Sequence, residues 1–116
     1  MTTKYVQKGS SIDYTNGGTT AIKAGDIVSL GTRIGVAATD IAVGSVGAVA
    51  VCGVFAAPKA SGAVTVGAAL YYDSTNKNIT TTASTGSGET KVDNTPAGWA
   101  VAPAASADTE VLVKIG

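Results

Sequence analysis

The segment Gly86-Ser87-Gly88-Glu89-Thr90-Lys91 comes closest, in this sequence, to a motif that carries chemistry. A phosphate loop needs two glycines five residues apart, then Lys and Ser or Thr opening a helix, so that backbone N–H groups and the lysine can cradle phosphates. Here Glu89 stands where a phosphate would sit, Lys91 is followed by Val92, and Pro96 comes soon after. Nucleotide binding is not expected.

Other chemistries fare no better. Without histidine, the chain lacks the commonest general base and the commonest metal ligand. Its carboxylates, Asp13, Asp26, Asp40, Asp73, Glu89, Asp93, Asp108 and Glu110, are scattered. Most fall at predicted turns or strand ends, where Asp bonds its own backbone, and no spacing favours a converging pair. The run Asp73-Ser74-Thr75-Asn76-Lys77-Asn78 offers oxygen ligands but lacks the alternating acids of a calcium loop, and reads as a hairpin turn. Cys52 is the single cysteine, so no internal disulfide can form. It follows Val49-Ala50-Val51 without a cationic neighbour and is expected to be a small buried hydrophobe rather than a reactive thiol. The chain is read as a non-enzyme with no cofactor and no metal.

The elements available to such a chain follow from its composition. Gly and Thr are abundant while Leu, Glu and Gln are scarce, which is poor helix material and good strand-and-turn material. At 116 residues it is one domain, and its 45% hydrophobic content is mostly Ala and Val, which predicts a thin core that neighbouring subunits could complete. Eight basic residues balance eight acidic ones, which argues against nucleic acid and against an anionic membrane, and favours association. Residues Met1 to Ser10 lack the apolar stretch of a signal peptide, and Gly44, Gly47, Gly53 and Lys59 interrupt the greasiest region. The expectation is a soluble protein made without export.

The pattern predicts an all-β fold of about eight to ten short antiparallel strands with hairpins, forming a small barrel or sandwich. Expected strands are Lys4 to Lys8, Thr20 to Lys23, Asp26 to Leu30, Arg33 to Ala38, Gly47 to Ala57 with a bend at Gly53, Ala63 to Val66, Ala69 to Asp73, Asn78 to Thr82, Gly98 to Ala102 and Thr109 to Ile115. Hairpins are expected at Gly31-Thr32 and at Ser74 to Lys77, and Ser84 to Pro96 reads as a long exposed loop. Ala24-Gly25-Asp26-Ile27-Val28 and Val66-Gly67-Ala68-Ala69-Leu70 echo one another, each placing Gly just before a strand that leads into a hairpin. The echo is too short to establish a repeat, but suggests two similar hairpins packed together.

Residues 1–20 read as an N-terminal arm or an edge strand, and residues 21–116 as a single β domain. The first segment is polar, carries Gly9, Gly17 and Gly18, and has apolar groups only at Val6, Ile12 and its tyrosines beyond Met1. Tyr5, Val6, Gln7, Ile12 and Tyr14 are its candidate partner-binding residues. Trp99 shares a predicted strand face with Val101; a core role is favoured, with a subunit interface as the alternative. Tyr71 and Tyr72 are adjacent in a strand and must point to opposite faces.

The order Tyr5-Val6-Gln7-Lys8-Gly9, Ala24-Gly25-Asp26-Ile27-Val28, Ile34-Gly35-Val36-Ala37, Gly53-Val54-Phe55, Pro58-Lys59, Val66-Gly67, Leu70-Tyr71-Tyr72-Asp73 and Gly98-Trp99-Ala100 resembles the phage capsid cement, or decoration, proteins. The resemblance spans about residues 4 to 115; single motifs are weak, but their order and spacing are specific. It departs from the family pattern at Tyr71-Tyr72, which touches packing. Some members carry an old recombinase label, unsupported here because the nucleotide loop is missing. The resemblance implies a structural virion protein, made in the host cytoplasm, that binds the major capsid protein on the outer capsid surface and stabilises the shell without catalytic residues. Homo-oligomers are expected, a trimer favoured over a dimer by analogy with other head-decorating proteins. The alternative is a head-fibre base, a tail-associated protein or a carbohydrate-binding β module.

Overall fold

Strand periodicity governs the chain from Ser11 onward. The computed structural model describes residues 2–5, 7–85 and 92–116, and every regular element among them is a strand. The strands are β1 (Ser11–Thr15), β2 (Ile27–Ser29), β3 (Ile34–Ala37), β4 (Val46–Ala50), β5 (Gly53–Pro58), β6 (Ala69–Asp73), β7 (Asn78–Thr80), β8 (Ser84–Thr85), β9 (Val92–Asp93), β10 (Thr95–Ala100) and β11 (Glu110–Ile115). They form a four-stranded sheet, order β1-β4-β3-β2, and a five-stranded sheet, order β5-β11-β10-β6-β7, with β8-β9 as a separate pair. All named pairings are antiparallel. The arrangement is sandwich-like and not a closed barrel.

Both expected hairpins form. Around Gly31 (φ +94°) the Leu30 N–H donates to the Arg33 carbonyl and joins β2 to β3. Asp73 organises the turn between β6 and β7: its Oδ1 accepts from the Thr75 and Asn76 N–H groups at 2.9 and 3.2 Å, and its Oδ2 accepts from Asn76 Nδ2 at 2.8 Å. Lys77 closes that turn with φ +55°.

Elsewhere the boundaries differ from expectation. Among the described residues of Lys4 to Lys8 no strand forms; the first described strand is Ser11–Thr15, where Ile12 and Tyr14 alternate with Ser11, Asp13 and Thr15. Thr20 to Lys23 and Ala63 to Val66 shrink to single bridges, Ile22 to Ile41 and Val64 to Ala104. Gly47 to Ala57 is not one bent strand: it splits into β4 and β5, which belong to different sheets, with Gly53 at φ +122° after the crossing. The loop expected at Ser84 to Pro96 holds β8, β9 and the start of β10, with Asn94 buried between them; its amide Nδ2 donates to the Thr82 carbonyl at 2.8 Å. The rejected phosphate-loop segment, residues 86–91, lies outside the described residues.

The two sheets repeat one scheme. In the first, β3 pairs Val36 with Ala50 and β2 pairs Val28 with Gly35; in the second, β10 pairs Trp99 with Lys114 and β6 pairs Leu70 with Gly98. The outer partners match too, Ser11 with Ala50 and Val54 with Lys114. The connecting turns share their hydrogen bonds. Gly25 N donates to the Ala37 carbonyl and Gly67 N to the Ala100 carbonyl, both at 2.8 Å; Asp26 N reaches Lys23 O, and Ala68 N reaches Thr65 O, at 3.0 and 3.1 Å. The short echo in the sequence is thus one piece of a structural repeat, with β7, β8 and β9 added to the second unit.

Each unit has a core. Val28, Ala37, Ile41 and Val49 form the smaller one, with half-buried Ile12, Tyr14, Ile22 and Leu30 against it. The larger contains Leu70, Ile79, Ala100, Val111, Val113 and Ile115 of the second sheet, and the first sheet contributes Ile34 together with half-buried Ile27 and Val36. β3 therefore faces two ways: Ala37 faces its own unit, while Ile34 and Val36 clasp the other.

Candidate docking surface

The outer face of the second sheet is built by strand alternation. β11 buries Val111, Val113 and Ile115 and turns Leu112 and Lys114 outward; β5 turns out Val54 and Ala56. Trp99 lies between Lys114 on one side and Ala69 on the other, and Lys114 is flanked in turn by Val54. Val54, Trp99 and Leu112 are 52%, 44% and 42% exposed, making an apolar patch with one cation, Lys114, inside it. A shallow depression of about 180 Å³, lined by Ala56, Pro103, Leu112, Asp108 and Glu110, borders the patch.

Trp99 is therefore not the core residue that its sequence context favoured. Pro96 opposes Tyr71 but Gly98 opposes Leu70, so a bulge inserts one residue into β10. Ala97, the extra unpaired residue, and Ala100 both turn inward, so Trp99, which strict alternation from Ala97 would have buried, faces out. Nor does Val101 share its strand; it is half-buried beyond the end of β10. Tyr71 and Tyr72 do point apart: Tyr72 is buried and Tyr71 half-buried. Burial holds the Tyr72 hydroxyl above the usual tyrosine pKa, and nearby Asp26 and Asp73 add to the effect.

The candidate binding residues of the N-terminal segment are divided. Tyr5 is 85% exposed, ahead of the first strand. Val6 lies outside the described residues. Gln7 is exposed, and its Nε2 donates to the Ser11 carbonyl at 3.4 Å. Ile12 and Tyr14 sit on β1, half-buried against the smaller core.

Polar chemistry is spent on turns. Asp26 Oδ2 accepts from Lys23 N, Asp40 Oδ1 from Ala24 N and Asp108 Oδ2 from Ala105 N, at 3.0, 2.8 and 2.8 Å. Hydrogen bonds from Asn76 hold the Asp73 carboxyl below the usual carboxylate range. No group of three metal-ligating side chains comes together among the described residues. A groove of about 630 Å³ opens between the units beside Ile12, Leu30, Cys52, Pro96 and Gly98, with Arg33 the one charged side chain lining it among the described residues. Cys52 is exposed, contrary to expectation, because the chain crosses between sheets there and its side chain has no sheet face to pack on. Sequence reasoning passed over Asn16, a buried residue whose Nδ2 donates to the carbonyls of Thr20 and Ile41 at 2.9 and 3.1 Å; the adjacent Gly17-Gly18 was the available signal for a turn that such an amide could organise.

A family model described as phage cement protein matches residues 6–115. The chain belongs to the phage cement protein family. Membership implies a structural role in stabilising the phage capsid and a place in the virion. An apolar outer face suits a cement protein, whose work is adhesion. No curated protein and no solved structure gives a significant match.

Proposed function

We propose that this cement protein binds the outer surface of the phage head, contacts the major capsid protein, and stabilises the shell by bridging its subunits. The observation that carries the reading is the family match over nearly the whole chain. Surface complementarity in many copies suffices for this task, and linked copies gain by avidity. In this reading the residues ahead of β1 form the capsid-contacting arm, with Tyr5, Val6 and Gln7 as its contact groups. Ile12 and Tyr14 serve contacts to a neighbouring copy. Zero formal net charge is compatible with a face turned away from packaged DNA.

The alternative, a head-fibre base, tail-associated protein or carbohydrate-binding module, draws on the exposed Trp99. Its surroundings on the sheet, Val54, Ala56, Leu112 and Ala69, are aliphatic, and among the described residues Lys114 is the one hydrogen-bonding side chain beside it. A sugar site joins its aromatic ring to convergent hydrogen-bonding groups, so the cement reading is favoured. Cosedimentation with expanded, DNA-free heads tests it. Saturable binding that raises the temperature at which heads rupture is expected; absence of binding to heads from its own phage would overturn the assignment.

A further inference from the structure

The repeat leaves two surfaces unmatched. Within the chain, the outward face of the first unit (Ile27, Ile34 and Val36) is covered by the core side of the second. The equivalent face of the second unit, built from Ala69, Pro96 and Trp99, is exposed in all three residues. On the other side, the positions that the first unit helps to cover in the second are Phe55, Ala57, Val64 and Tyr72. Ala57, Val64 and Tyr72 are buried, at 5–7% exposure. Their counterparts in the first unit are Ile12, Tyr14, Ile22 and Leu30, and all four remain half-buried. One end of the molecule thus presents a face that wants a core side, and the other presents a core side that wants a face.

We infer that copies of this chain associate head to tail, the Trp99 face of one copy seated on the Ile12–Tyr14–Ile22–Leu30 side of the next, by repeating the contact that the two units already make within the chain. The internal contact supplies the geometry. Ile27 and Val36 share a narrow crevice with Phe55, Ala57 and Pro58. Their equivalents across copies are Ala69 and Trp99 against Ile12, Tyr14 and Thr15. Such an interface is heterologous, and it yields a closed ring when its rotation closes. The inference does not depend on capsid binding, and its test uses no capsids.

The test begins with sedimentation of the purified protein at tens of micromolar. A discrete multiple of the 11.3 kDa chain is expected, falling to monomer in W99E and in A69E, both still unfolding cooperatively. In a Cys52→Ser background, Ala69→Cys and Thr15→Cys proteins should cross-link when mixed and fail to cross-link alone. Monomeric wild type overturns the inference, as does an unchanged mass in A69E should W99E fail to fold. Cross-linking of Ala69→Cys with itself, but not with Thr15→Cys, would show a face-to-face dimer and overturn it equally.

Discussion

Gly98 packs its α-carbon directly against the Lys114 carbonyl, so closely that any β-carbon at Gly98 would lie far inside van der Waals contact distance of that oxygen. Its φ of +151° is also a conformation that L side chains rarely adopt. This contact seats the bulge that turns Trp99 outward. The first unit repeats it in milder form, since a β-carbon on Gly35 would come within 2.9 Å of the Ala50 carbonyl. Gly98→Ala is therefore expected to cost about 3 kcal/mol or more, because backbone must move. Urea denaturation checks this; a loss below about 1 kcal/mol would mean that the strands part freely.

Asn16 ties the loop after β1 to the turn before β4. Besides its two donated bonds, its Oδ1 accepts from Gly18 N at 3.1 Å. Asn16→Ala should destabilise by about 2–3 kcal/mol by stranding buried carbonyls. The chemical-denaturation midpoint reads the effect.

Asp73 gives the fold an acid-sensitive turn. Its folded pKa is depressed, so its contribution is present above the unfolded value of about 4 and lost as pH falls through the folded value. Asp73→Asn should melt lower than the parent at pH 7, with the difference shrinking below about pH 4. A constant difference across that range would separate the turn's stability from its charge.

Cys52 should react with a thiol reagent in the native protein, one equivalent per chain and without denaturant, because it is exposed. Slow labelling that tracks global unfolding would place it in an interface or core.

Removal of residues 2–9 should leave the melting temperature unchanged and weaken head binding about tenfold or more, each lost 1.4 kcal/mol being tenfold. Ser10 is kept because its carbonyl accepts from Val51 N at 3.0 Å. Unfolding of this truncation would assign the segment to the domain itself.

The sequence by itself determined the fold class, the two hairpins and the lack of a catalytic motif. Those rest on local rules: strand-forming composition, Gly31 at a positive-φ turn, Asp73 bonding its own turn, and residue types that are absent. Tertiary structure decided what depends on distant partners. Val46–Ala50 and Gly53–Pro58 read as one apolar run because small apolar residues dominate both, and nothing local reveals that they join different sheets. Trp99 read as core because it shares a face with Val101 in the strand expected over Gly98 to Ala102; only the pairing of β10 with β6 shows that the strand bulges before Gly98, ends at Ala100 and turns Trp99 outward. The short echoes around Gly25 and Gly67 became a repeat only once matched pairings linked Val36 with Trp99 and Ala50 with Lys114, pairs with no resemblance in side chain. Strand register fixes backbone positions while leaving side chains free to diverge, so the duplication survives in hydrogen bonds after it has faded from the residues.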